Sequence, residues 1–374
     1  MHILWISYAL WTNYSYSIIT RRILPCLLAA GHQVTIATFW HHTGLRMNYT
    51  LGEHTVSVYG FNGPPEAFSE VALLPLWKML KPDLCILCAD CWRIAPEISK
   101  QIPLVLWMPV HHKPENQTTL ECCQAARSVC VYSAWGTAVL KDQGIQARHI
   151  PVPADPAAFR PGDRAGARRF FGIRENEYLV TMVGINHPTD AKGFAHALVA
   201  FEAFARKHPA RLYLHTNVSG GIDVFGIANA LGISDRLITP DQAELSLNLY
   251  DEDFMARLYN ASDLVLNTSR WEGYCMPLVE AQLCGVPVAA PIGHAAEELV
   301  IDGWTIPSHP YWCEHTKTWG VECDPSVVCV SLERAHTERD LERPDAREVF
   351  SRLAPEHIWS HYWQPMLAEM EGLL

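Results

Sequence analysis

Two carboxylates, Glu272 and Glu280, punctuate the stretch of this 374-residue chain whose residue types are best arranged for chemistry, Asp263-Leu-Val-Leu-Asn-Thr-Ser-Arg-Trp-Glu-Gly-Tyr-Cys-Met-Pro-Leu-Val-Glu-Ala-Gln-Leu-Cys-Gly-Val-Pro-Val-Ala-Ala-Pro291. Leu264 to Leu266 form a short apolar run, as a buried parallel strand does. Pro277 suits the first helical position, where no backbone donor is needed, and Gly285 suits the left-handed residue after the last turn. Val286 to Ala290 then resume an extended apolar run. Strand, loop, helix and strand in this order aim the backbone N–H groups around Gly273, Tyr274, Cys275 and Met276 at one point, where the helix dipole adds positive potential. A diphosphate is the natural occupant. Glu272, in the loop, and Glu280, early in the helix, flank that point, placed for sugar and ribose hydroxyls. Either carboxylate alone reads better as a solvated charge; the joint pattern of both with Pro277 and Cys284-Gly-Val-Pro is hard to obtain by chance.

The run Glu272-Gly-Tyr-Cys-Met-Pro-Leu-Val-Glu280, followed by Ala281-x-x-Cys-Gly-Val-Pro-Val, resembles the Glu-x7-Glu signature of the retaining glycosyltransferase family 4. The resemblance implies that Glu272 contacts the donor sugar, that Glu280 binds the ribose, and that the intervening amides hold the diphosphate. It also implies the GT-B fold: α/β, two Rossmann-like domains with parallel sheets facing across a cleft, and a C-terminal helix packing back on the first domain. Members usually carry an Arg and then Lys-Gly in the first loop of the second domain. Here Tyr178-Leu-Val-Thr-Met-Val-Gly184 reads as the strand and Ile185-Asn-His-Pro-Thr-Asp-Ala-Lys-Gly193 as the loop leading into a helix over 194–207. Lys192-Gly193 matches, whereas the Arg is missing and Asn186 and His187 stand near its place. Lys192 is therefore expected to neutralise the departing nucleotide, with Gly184 and Asn186 beside the donor. By the same resemblance transfer retains anomeric configuration, and Glu272 positions the sugar without attacking it. No essential Mg²⁺ or Mn²⁺ and no other cofactor is expected; the nucleotide-sugar, a UDP- or GDP-sugar, is a co-substrate.

The N-terminal half supplies the other domain. Met1 to Ser7 read as a strand, Ser17 to Ala30 as a helix ending at Gly31, and Val34 to Phe39 as a second strand, which is a βαβ unit and implies a parallel sheet. Gly31-His-Gln-Val-Thr-Ile resembles the strand start common in this family. The first strand-to-helix loop, residues 9–17, departs from it, because members usually place glycines there to let donor phosphates approach. Asn13 tolerates unusual backbone angles, and Tyr14, Tyr16 and Trp11 either line an acceptor pocket or pack against the strand end. Further strands are expected over 81–87, ending near Asp90 on the acceptor side, and over Leu104 to Met108, which runs into Pro109-Val-His-His-Lys-Pro114. Family members often have a histidine or aspartate there facing the sugar. His111 or His112 fits that role with a ring titratable near neutral pH, although with 18 histidines a structural role is nearly as good a reading.

Prolines 151, 153, 156 and 161 interrupt regular structure, so residues 1–161, with a C-terminal helix over 356–374, are expected to form an acceptor domain. Residues 162–169 then read as a linker and 170–355 as the nucleotide-sugar domain. Further strands are expected over 211–217 and 237–240, and a helix over 251–260. Trp359, Trp363, Leu367, Met370 and Leu374 form a helical stripe kinked by Pro365. Residues 304–330 show little pattern.

Net charge is −11, yet residues 1–170 carry 15 Lys and Arg against 11 Asp and Glu, while residues 171–374 carry 14 against 29. The positive half is compatible with an anionic acceptor such as DNA, a lipid or a phosphorylated glycan, or with ordinary solvated faces. Twelve scattered cysteines read as buried apolar residues in a reducing compartment. Cys85-x-x-Cys88-x-x-Cys91 invites a metal reading, but strand alternation sends its members to opposite faces, so none is expected there. With no run long enough to span a membrane and no leader pattern, a cytoplasmic protein is expected. The function expected is a hexosyltransferase. The competing readings are the same chemistry on a hydroxylated base in DNA, a catalytically silent nucleotide-sugar-binding subunit, and a GT-B epimerase.

Overall fold

The computed structural model describes residues 1–39, 44–61 and 68–372. Its contacts divide the chain into two units, one of residues 1–110, 114–154 and 352–374, the other of 111–113 and 155–351.

In the first unit, β1 (His2–Tyr8), β2 (Gln33–Phe39), β3 (Arg46–Leu51), β4 (His54–Gly60), β5 (Leu84–Cys88), β6 (Leu104–Met108), β7 (Ser128–Val131) and β8 (Arg148–His149) form one sheet in the order β3-β4-β2-β1-β5-β6-β7-β8. Every pairing is parallel except the edge hairpin β3–β4. That hairpin was not legible in the sequence, because β3 alternates exposed and half-buried residues and lacks an apolar run. The strands β1, β5 and β6 are buried on both faces, as their continuous apolar runs imply. Cys85 and Cys88 are spent on that burial: their thiols are pushed up to about 12 and about 11 by desolvation, and Cys88 meets the Tyr132 hydroxyl at 3.5 Å.

The C-terminal segment packs into this unit. Residues Trp359–Trp363 form a wide π-helical turn that runs into the helix Gln364–Glu371, with Pro365 at the junction where a missing donor does least harm. Leu374 lies outside the described residues. Trp363 is fully buried, its ring 5.7 Å from Trp5 and 4.9 Å from Trp107. Trp363→Ala is therefore expected to destabilise the first unit by about 3–5 kcal/mol, read as a lower midpoint in urea unfolding.

The second unit holds β9 (Tyr178–Val183), β10 (Ala210–His215), β11 (Leu237–Ile238), β12 (Leu264–Leu266), β13 (Val288–Pro291) and β14 (Gly303–Ile306), parallel throughout and ordered β11-β10-β9-β12-β13-β14. This is the doubly wound order whose direction reverses between β9 and β12, so loops leaving the carboxyl ends of those two strands diverge and open a crevice. The helix Phe194–Ala205 covers the sheet with Phe194, Phe201 and Phe204. A separate antiparallel hairpin, β15 (His309–Cys313) with β16 (Thr318–Glu322), follows β14, in the stretch where the sequence showed little pattern.

The expected linker is instead part of this unit. Residues Arg164–Phe170 are helical, capped by the Asp163 carboxylate on Gly166 N at 2.9 Å. Arg164 and Arg168 pair with Asp263 at 2.6 and 2.9 Å, and Arg168 also donates to the carbonyls of Ala261, Arg174 and Glu177. A short run of Gly, Ala and Arg reads as solvated spacer until tertiary structure supplies acceptors for its guanidinium groups. The division between units accordingly falls at 154/155 and 351/352 instead of around 162–169 and 355/356. No helix among the described residues is long and apolar enough to cross a membrane.

Candidate active site

The crevice at the β9/β12 reversal is built from two loops locked together. Asp190, at φ 49°, caps the helix after β9 by accepting from Phe194 N at 2.8 Å and Ala195 N at 3.2 Å. Gly193 has φ 66°, and a Cβ there would lie 2.3 Å from the Thr268 carbonyl oxygen, so only glycine fits. Thr268, two residues beyond β12, donates its hydroxyl to the carbonyls of Lys192 (2.9 Å) and Gly193 (3.2 Å).

This junction sends the Lys192 side chain across Gly184, at the end of β9. A Cβ on Gly184 would sit 2.9 Å from Lys192 Cγ. The ammonium ends 2.5 Å from Glu272 Oε1. The same oxygen accepts from the Ser269 hydroxyl at 2.7 Å and from Asn267 Nδ2 at 3.2 Å. Burial would raise the Glu272 carboxyl, but the Lys192 charge and these donors outweigh it and hold it down at about 2. Burial opposes the Lys192 charge too, and Glu272 reverses the effect, leaving the ammonium above its ordinary value. Both groups are thus ionised at neutral pH.

Glu272 leads directly into the helix Met276–Leu283. Cys275 takes φ 98°, a left-handed conformation rare for a residue with a side chain, and is held there with Asn267 Nδ2 3.1 Å from its sulfur. Pro277 is the second helical residue, not the first, and Gly285 takes φ 76° just past the helix end. Tyr274, Cys275 and Met276 are buried around the helix start. Glu280 lies one turn further on, also buried, and accepts from the Tyr259 hydroxyl at 3.1 Å.

The remaining sequence-derived candidates fall in several places. Asn186 is buried with its side chain committed to Ile222, donating to its carbonyl at 2.9 Å and accepting from its N–H at 3.0 Å. Its amide shapes the loop, and His187 beside it is exposed and bonded to Thr189. His111 and His112 group with the second unit, their rings 6.0 Å apart, and His112 lies 5.7 Å from the Trp271 ring. Asn13, Tyr14 and Asp90 belong to the first unit, in the loops after β1 and β5, which flank the strand-order reversal of that sheet. Arg21 organises the glycine-poor loop there: its Nη1 donates to the carbonyls of Leu10 and Thr12, both at 2.6 Å, and its Nη2 to Asn13 Oδ1 at 3.4 Å. Asp90 hydrogen-bonds Tyr16, which, with burial the larger cause, keeps that phenol well above its usual range.

Sequence reasoning passed over Asn267, Ser269, Arg270 and His294. His294 is buried and accepts from Ala296 N at Nδ1, so Nε2 carries the proton and donates to the Ser269 carbonyl at 2.9 Å. Burial lowers its pKa and keeps it neutral. Its place in Gly293-His-Ala-Ala-Glu297 was the available signal.

Two parallel-sheeted α/β units of these strand orders form the GT-B architecture of glycosyltransferases. The structure superposes on sucrose-phosphate synthase from Thermosynechococcus elongatus with a TM-score of 0.71, 17% identity and 100% and 98% of the two chains covered. It also superposes on the Anabaena protein HepE, solved in complex with UDP-glucose, with a TM-score of 0.72, 16% identity and both chains fully covered. Residues 177–313, within the second unit, match the family model Glycosyl transferases group 1. D-inositol 3-phosphate glycosyltransferase of Segniliparus rotundus is 32% identical over 168 residues, which are 41% of this chain and 35% of that protein. The chain spans between about a third and a half of the length of such curated relatives.

Proposed function

We propose that this protein is a glycosyltransferase that moves a hexose-type sugar from a nucleotide diphosphate sugar to an acceptor hydroxyl, with retention and without an essential metal ion. The observation that carries this reading is the Lys192–Glu272 pair, held over Gly184 at the β9/β12 reversal and next to a helix start. Two ionised groups this buried are costly to maintain, and such pairs cluster where charge develops in a reaction. Lys192 and the helix N-terminus neutralise the departing diphosphate, the work a divalent cation does in other transferases. Glu272, fully ionised and close to the sugar position, orients hydroxyls, and Glu280 serves the ribose. A UDP-sugar is favoured as donor, since the fold neighbour HepE was solved with UDP-glucose. The relatives named for D-inositol 3-phosphate favour a phosphorylated polyol over DNA as acceptor. His112, beside Trp271, is the residue proposed to face the sugar.

The test is a panel of UDP-glucose, UDP-galactose, UDP-N-acetylglucosamine and GDP-mannose, followed by melting temperature and by slow donor hydrolysis. One member is expected to stabilise the fold by about 2.7 kcal/mol at a hundredfold excess over its Kd, and to be turned over equally well in EDTA. Turnover abolished by EDTA and restored by Mg²⁺ or Mn²⁺ excludes the metal-free reading. Binding without any hydrolysis favours a silent nucleotide-sugar-binding subunit, the second reading, which the Arg21-stapled loop and the missing Arg near Asn186 motivate.

A further inference from the structure

The β15–β16 hairpin is not part of the six-stranded sheet, yet it bears on the loop that carries Glu272. Val321 N donates to the Arg270 carbonyl at 2.8 Å. Gly320 lies so close that a Cβ would be 2.5 Å from that oxygen and 3.0 Å from Trp271 Cε3. From the same hairpin, the Tyr311 ring lies 4.5 Å from the Arg270 guanidinium and stacks on Trp271 at 6.4 Å.

Arg270 uses that guanidinium to join three segments. Its Nε and Nη2 donate to Glu322 Oε1 at 3.0 and 2.6 Å, on β16. Its Nη1 donates to the carbonyls of Thr189 (2.8 Å) and Asp190 (3.3 Å), and its backbone N–H to the Ala191 carbonyl at 2.9 Å. Lys192 follows Ala191 directly, and Glu272 is two residues from Arg270. A planar, always-charged fork is the side chain suited to such a junction, since lysine offers neither the geometry nor the stacking face. Glu322 is further approached by the rings of His196 and His309, each at 3.8 Å.

We propose that the hairpin is a brace that sets the separation of Lys192 and Glu272, and that Arg270 and Glu322 are the positioning residues through which it acts. The proposal rests on reading that pair as the donor-sugar site. A small displacement of a charge from its working position costs on the order of a hundredfold in rate, so the brace controls kcat while leaving donor affinity to the helix start.

The test measures steady-state hydrolysis by the full chain of whichever of UDP-glucose, UDP-galactose, UDP-N-acetylglucosamine and GDP-mannose the wild type turns over fastest. Glu322→Gln is expected to lower kcat on the order of tenfold to a hundredfold with KM within about threefold of wild type. Arg270→Lys is expected to do the same, and Arg270→Lys combined with Glu322→Gln to be no slower than the worse single variant, because both remove one device. Lys317→Ala at the hairpin tip, whose side chain is largely exposed and pairs only with Glu314 among the described residues, serves as the control at wild-type rate. Should Glu322→Gln melt far below wild type, Tyr311→Leu, which removes the guanidinium's ring platform and no charge, is expected to show the same loss in kcat. A kcat within about twofold of wild type in Glu322→Gln, or in Tyr311→Leu where that variant replaces it, additive losses in the double variant, or a change confined to KM overturns the brace while the donor site stands. Donor binding by wild type without hydrolysis of any of the four overturns the brace while the donor site stands, and neither binding nor hydrolysis of any of them overturns the donor-site reading and the brace with it.

Discussion

Lys192→Ala is expected to reduce turnover by two to three orders of magnitude, the effect of removing one preorganised charge from a developing anion. It is also expected to weaken the fold. The pair is half hidden, with Glu272 nearly covered, so deleting the ammonium strands a carboxylate among Asn267 and Ser269. Breaking a pair of this kind costs about 3–5 kcal/mol. The pH dependence follows from the direction of each shift. In the native protein the Glu272 carboxyl sits at about 2 against an ordinary value of 4.5, so its contribution is fully present above about pH 4.5 and is lost as pH falls toward 2. In Lys192→Ala, burial is opposed by the Ser269 hydrogen bond without the ammonium, so that carboxyl rises from its native value and the variant no longer gains the native protein's stability above it. The melting temperatures of native and variant protein should therefore differ most near neutral pH and converge on acidification. A gap that is constant from pH 7 to pH 3.5 would show that the two groups are not coupled.

Glu272→Gln is expected to abolish most of the turnover while donor binding, measured by calorimetry with UDP-glucose or the best panel member, stays within about an order of magnitude. The amide keeps the side chain's size and its contacts with Ser269, but supplies no charge to hold Lys192 at the crevice floor. An interaction made chiefly in the transition state shows itself as a loss in kcat and kcat/KM together, with little change in affinity. Because the variant places an uncharged group against a half-buried ammonium, Lys192 loses its largest upward influence and burial lowers its pKa. Some turnover at neutral pH with a steeper decline toward alkaline pH would report that shift. Wild-type turnover in Glu272→Gln would remove this carboxylate from the mechanism.

The two carboxylates of the candidate site, the ammonium and the helix that carries Glu280 were all present in the sequence as local patterns. Glu272, Pro277, Glu280 and Gly285 lie within one turn-helix-turn, where spacing and backbone preferences act over a few residues. Lys192-Gly193 was visible for the same reason. Their partners were not. Asn267 and Ser269 look like loop filler until the strand reversal turns them inward, and Arg270 reads as a solvated charge until a hairpin some fifty residues downstream brings Glu322 to it. The segment 162–169 misled because its composition is that of a spacer, and only distant carbonyls make its arginines structural.

The sequence by itself determined the alternation of strand and helix, the positions where a glycine or proline is required, and which side chains carry useful charge, because these depend on neighbours within a turn or two. Tertiary structure alone decided that Lys192 crosses Gly184 to reach Glu272, that their mutual attraction overcomes burial, and that Arg270 binds three segments at once. Those outcomes depend on distances between residues far apart in the chain, and the energy of a buried charge is set by what surrounds it in space.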